Sequence, residues 1–235
     1  MSQVTLITGG TRGIGQALAL RLLARGHHVA VTGTTDSGVA RAAHALIEAC
    51  GEPGRVLALA CDVRDAASVG RVVQAVVARF GGLDVLVNNA GVGVGQPVTE
   101  LSHDEWHRII ETNLTGAFHC CRAAIPHLLK RGGWIVNVSS LASKNPFIGG
   151  AAYCASKAGL NAFSDALMLE LRHSGIRVTT VLPGSVATGF SGRTPETGAD
   201  WKLHPDDVAQ AIESLLDHPA RSLPSRLEIR PSAPR

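Results

Sequence analysis

Seven short runs of unbroken apolar or β-branched residues punctuate this chain, and they constrain its fold more than any other feature. They are VTLIT (4–8), HVAVTG (28–33), RVLALA (55–60), DVLVNN (84–89), WIVNVS (134–139), RVTTVL (177–182) and RLEIR (226–230). A strand with one wet face alternates apolar and polar residues, whereas runs this continuous are expected of parallel strands covered on both faces. Between them lie stretches of helical periodicity: 14–26, closing at Gly26; 65–82, closing in a glycine pair; 102–131, interrupted by Pro126; 151–173; and 204–218, opening on Pro205. Strand and helix alternate with no linker-like break. The rhythm predicts one α/β domain over residues 1–235, a doubly wound, seven-stranded parallel sheet with helices on both faces.

One segment breaks that rhythm. Residues 188–203, TGFSGRTPETGADWKL, are rich in Gly, Thr and Pro, follow a strand end and exceed an ordinary connection. A loop of that length in such a sheet is expected to serve as a lid or substrate loop.

Composition removes several classes of function. With 45% apolar and 17% charged residues the chain is globular, and its net charge of +3 carries no block of like charges that would mark a nucleic-acid partner. No run approaches the roughly eighteen apolar residues of a membrane span, and MSQVTLITGG lacks a charged segment followed by a long apolar one, so no secretory signal is expected. Cys50, Cys61, Cys120, Cys121 and Cys154 form no CxxC and no framework spacing, so a cytoplasmic protein with reduced thiols is expected.

The chemistry begins at the first strand–helix junction, TGGTRGIG, where Gly9, Gly13 and Gly15 let the backbone turn sharply and let a pyrophosphate approach the positive helix end. This gives the sheet a Rossmann-like character, although a tight turn without a ligand satisfies the same spacing. The second strand ends in VTGTTDSG, with Gly33, Thr34 and Thr35 where a carboxylate for a ribose 2′-hydroxyl would stand. Arg12 offers positive charge for a 2′-phosphate. These residues favour NADP over NAD, and Asp36 keeps NAD open.

Tyr153 is the chain's only tyrosine, and Lys157 follows it by one helical turn in YCASK. A phenol titrates near pH 10; bringing it close to neutrality takes roughly 4 kcal/mol. A lysine in a dry cleft, helped by an oxidised nicotinamide, supplies much of that, whereas an exposed pair does not. Ser140 ends the fifth strand, at the edge where open parallel sheets bind ligands, and its hydroxyl can hold a carbonyl oxygen that Tyr153 protonates. Asn113 sits mid-helix against its propensity, either as a kink or as the carrier of a free carbonyl or water leading from Lys157 to solvent. His103 and His107 in HDEWH do not form a zinc motif, because Glu105 is displaced, so no metal is expected.

Taken in order, TGGTRGIG, CDV (61–63), NNAG (88–91), Asn113, Ser140, YCASK (153–157) and PGSVAT (183–188) resemble the short-chain dehydrogenase/reductase family over essentially the whole chain. The resemblance implies a catalytic set of Asn113, Ser140, Tyr153 and Lys157. It places Gly9, Thr11, Arg12, Ile14, Gly15, Thr34, Asp62, Val63, Asn89, Val186 and Thr188 against the cofactor, together with Tyr153 and Lys157. The glycine turn and TGTT are similar to those of bacterial 3-oxoacyl-carrier-protein reductases. By that resemblance the chain is an NADP-dependent reductase of a small-molecule ketone or acyl thioester, assembled as a homotetramer or homodimer. An NAD-dependent secondary-alcohol dehydrogenase and a non-catalytic dinucleotide sensor are the other readings.

Overall fold

The computed structural model describes residues 2–190 and 200–233. Seven strands form one parallel sheet: β1 (Val4–Ile7), β2 (His28–Gly33), β3 (Val56–Ala60), β4 (Val85–Asn88), β5 (Trp134–Val138), β6 (Arg177–Pro183) and β7 (Arg226–Ile229). Their spatial order is β3-β2-β1-β4-β5-β6-β7. The order reverses between β1 and β4, and at such a switch the loops leaving the strand ends diverge to opposite faces and open a crevice. All seven expected strands are present within two residues at either end.

The unbroken apolar runs are explained by what covers them. One face packs α1 (Gly13–Ala24), α2 (Asp36–Cys50) and α7 (Pro205–Leu216), with Ile7, Val31, Val87 and Val136 meeting Leu18, Leu22, Leu46 and Ile212. The other packs α3 (Ala66–Phe80), α5 (Gly116–Leu128) and α6 (Ala151–Leu171), with Leu6, Leu86 and Ile135 meeting Val73, Cys121, Leu128 and Leu167. Successive residues such as Leu6 and Ile7 therefore bury on opposite sides. Across the first face, Arg21 Nε lies 2.7 Å from Glu213, Arg21 Nη1 2.8 Å from Asp206, and Arg25 2.6 Å from Asp217, clasping α1 to α7.

One helix lies outside the expected set, and one helical expectation is corrected. The helix over 36–50 carries no strong sequence signal, because it buries only Val39, Ala42 and Leu46. The long helix expected over 102–131 is not interrupted at Pro126, which α5 holds two residues before its end. It instead runs from α4 (His103–Ile110) through a single π-turn, Glu111–Thr115, into α5. Asn113 is at the centre of that turn. Of the expected loop 188–203, residues 191–199 lie outside the described residues; Val186 pairs with Leu203 across its base.

Candidate active site

A cleft of about 1430 Å³ opens at the strand ends on either side of the switch. Its floor is the glycine turn, whose glycines are demanded by close approach. Gly9 has φ +63°, and a Cβ there would lie 2.9 Å from the Ala90 Cα; a Cβ on Gly15 would lie 2.6 Å from the Asn89 amide nitrogen. That amide donates at 3.0 Å to the carbonyls of both Thr8 and Gly9, so the fourth strand's exit and the turn hold one another.

The first turn of α1 is left open. Thr35, Asp65 and Ser102 cap α2, α3 and α4 with side-chain oxygens, but Arg12 gives α1 none, and no acidic residue occupies its first turn. Uncapped N–H groups at a positive helix end facing a cleft suit an anion such as a dinucleotide pyrophosphate. Thr11, Arg12, Ile14 and Thr34 line this end. Asp36 does not: it is the exposed first residue of α2. Asp62 and Val63 line the neighbouring wall, where Arg64 grips the Asp62 carboxylate at 3.0 Å through Nε and holds it below the usual carboxylate range.

At the other end, β5 delivers Ser140 and α6 delivers Tyr153 and Lys157. Lys157 is 4% exposed, and its ammonium donates at 2.8 Å to the Val138 carbonyl. Burial pulls its pKa down to about 8. Burial pushes the Tyr153 phenol up, and hydrogen bonding with Ser140 pulls it partly back. The expectation that Lys157 would make Tyr153 acidic thus meets the opposite direction in the protein by itself: the ammonium lies 5.8 Å from the ring centroid and is bonded to main chain. The Phe190 ring meets Tyr153 edge-on, centroids 5.6 Å apart, and Gly93 leaves the room for that contact.

Asn113 does not line the cleft. It is 1% exposed behind it, its Oδ1 accepting from the Val92 N–H and its Nδ2 donating to the Val92 carbonyl, both at 2.8 Å, and to Ser156 Oγ at 3.0 Å. The side chain is therefore occupied in holding the loop after β4. Gly15 is likewise packed beneath the turn. The remaining expected residues, Gly9, Thr11, Arg12, Ile14, Thr34, Asp62, Val63, Asn89, Ser140, Tyr153, Lys157, Val186 and Thr188, all line one cleft. Sequence reasoning missed Arg64, the Val138 carbonyl and the contact of Phe190, a ring of the expected substrate loop, with Tyr153. Arg64 was accessible as a cation two residues after Asp62; the other two are set by tertiary placement alone.

A reversing parallel sheet with an open glycine turn and a Ser–Tyr–Lys group in the same cleft defines a dinucleotide-dependent oxidoreductase. Residues 3–198 match the short chain dehydrogenase family model. The chain belongs to the short-chain dehydrogenase/reductase family and acts, with a nicotinamide dinucleotide, on CH–OH or carbonyl groups. It is 39% identical to a putative ketoacyl reductase of Streptomyces coelicolor, over 92% of this chain and 83% of that one. It is also 39% identical to 3beta-hydroxysteroid dehydrogenase 1 of Eggerthella lenta, over 93% and 88%. An alcohol dehydrogenase structure from Thermococcus sibiricus, complexed with 5-hydroxy-NADP, superposes with a TM-score of 0.93 at 31% identity, covering 100% of this chain and 99% of that one.

Proposed function

We propose that the protein is an NADP-dependent reductase of ketones or 3-oxoacyl thioesters. The observation that carries this reading is the joint lining of one cleft by Ser140, Tyr153 and Lys157 at one end and by Arg12 and Thr34, without a β2 carboxylate, at the other. The uncapped α1 turn and the glycine contacts fit the dinucleotide. When bound, NADPH supplies a hydride from nicotinamide C4. Ser140 holds the substrate carbonyl oxygen by a hydrogen bond, and Tyr153 gives its phenolic proton to that oxygen. Arg12 and Thr34 hold the 2′-phosphate, and Lys157 holds the nicotinamide ribose. Because burial keeps Tyr153 protonated, it is suited to act as an acid in the reductive direction. Asn113, its side chain occupied, can serve a proton relay only through its main-chain carbonyl, which a π-turn tends to release.

The same reading includes a cytoplasmic location, supported by five free thiols, and self-assembly, supported by an exposed apolar face on α5 and α6 where Phe118 and Phe163 meet edge-on. The test is fluorescence titration with NADPH and NADH, followed by NADPH oxidation across ketones that include a 3-oxoacyl thioester. Tighter NADPH binding that Arg12→Ala weakens more than NADH binding, with turnover abolished by Tyr153→Phe, is expected. Preference for NADH would favour the alcohol dehydrogenase, and binding without turnover the sensor.

A further inference from the structure

Helix α6 carries three polar side chains at successive i, i+4 positions on one face: Tyr153, Lys157 and Asn161. The first two reach the cleft. Asn161 is 9% exposed and does not line it. Its Nδ2 donates at 2.7 Å to Ser143 Oγ, and that hydroxyl donates at 2.6 Å to the main-chain carbonyl of Ser140. Ser140 starts the short 3-10 turn Leu141–Ser143, where its own Oγ accepts from the Ala142 N–H at 3.1 Å. With one lone pair so engaged, the Ser140 hydroxyl stays on the cleft wall, within hydrogen-bonding reach of Tyr153.

We propose that Asn161 is a positioning residue, which through Ser143 fixes the Ser140 hydroxyl against Tyr153. The inference rests on the roles given to Ser140 and Tyr153 above. Strand β5 is already tied to α6 by the Lys157 ammonium on Val138 and by Ser139 Oγ, which donates to the Lys157 carbonyl at 3.2 Å. Both ties precede Ser140; the Asn161–Ser143 link fastens the turn that follows it, so Ser140 is held from both sides. The arrangement is costly to the fold. Asn161 Oδ1 is buried without a hydrogen-bond partner among the described residues, and an apolar side chain would not carry that penalty. An acceptor left orphaned so that its amide can reach Ser143 is what a functional requirement, rather than a stability requirement, would retain.

The test compares Asn161→Leu, Ser143→Ala, Ser143→Thr and Ser140→Ala in two assays. The first is NADPH-dependent turnover on the ketone panel as a function of pH. The second is near-ultraviolet titration of the phenol, which reports Tyr153 alone because the chain has one tyrosine. Asn161→Leu and Ser143→Ala are each expected to lower kcat on the order of tenfold, with NADPH affinity unchanged. Both should move the alkaline limb of reduction and the phenol titration to higher pH, because a loosened Ser140 no longer favours the phenolate. Ser143→Thr keeps the hydroxyl and should behave as wild type, and Asn161→Leu/Ser143→Ala should be no worse than the weaker single variant. A melting temperature that is unchanged or raised in Asn161→Leu would separate positioning from simple loss of fold. If Ser140→Ala impairs turnover while Asn161→Leu alters neither kcat nor titration, or if the two single losses multiply, this inference is overturned. If Ser140→Ala itself leaves turnover intact, the functional reading fails instead.

Discussion

Lys157 is held where its charge is least welcome. Its folded pKa, about 8, lies below the ordinary 10.5, so between these values the unfolded chain binds more protons and stability rises with pH. Below pH 8 both states are protonated and the whole penalty is present, on the order of 3 kcal/mol. Lys157→Met should therefore be more stable than wild type at pH 7, by about 2 kcal/mol after loss of the bond to Val138, with the gap closing towards pH 10.5. Denaturant unfolding of both proteins at pH 7 and pH 10 measures this. A Lys157→Met protein less stable at pH 7 would show that the ammonium supports the fold. Residues of this kind were legible as a pattern, YCASK, but not as an energy. Nothing in the sequence says that the ammonium would find a main-chain carbonyl, or that Tyr153 would be pushed up rather than down.

At the scale of elements, legibility followed the thickness of the apolar stripe. Strands covered on both faces announce themselves, and so does α3, with Val69, Val72, Val73 and Val76 buried. Helix α2 hides because small Ala42 and two larger residues are all it buries. The π-turn hides for another reason: the residue at its centre, Asn113, docks onto Val92, some twenty positions earlier in the chain, and no local pattern announces that contact. The glycine turn belongs with the legible elements, since its requirement is steric. A methyl group at Gly15 would meet Asn89 Nδ2 at 2.6 Å and the Gly9 carbonyl at 2.9 Å. Gly15→Ala is expected to remain folded, with a stability loss of about 1–3 kcal/mol, and to weaken NADPH binding at least about tenfold. Wild-type affinity in the titration would show that the turn yields without harm to the ligand.

Across the whole molecule, the first and last helices of the fold are neighbours, and their clasp is ionic. Glu213, with a side chain 16% exposed, receives Arg21 and sits 3.7 Å from Arg25, while Asp206 and Asp217 flank it. Removing the central charge in Glu213→Gln should lower Tm by about 2–4 °C in low salt and by less in high salt, where such pairs are screened. Thermal melts at the two ionic strengths decide the matter, and equal shifts would assign the effect to packing. Sequence showed both helices and a doubly wound parallel sheet, but not the order of its strands or which acid would meet which base. Those partners lie almost two hundred residues apart, and only the folded sheet brings them together.

The guanidinium of Arg12 donates to the carbonyl of Gly189, the residue preceding Phe190, whose ring rests on Tyr153. One side chain thus links the glycine turn to the segment packed on Tyr153. If position 12 sets the choice between nicotinamide cofactors, as proposed above, re-engineering it would also disturb the segment that packs on Tyr153, and with it the range of substrates accepted.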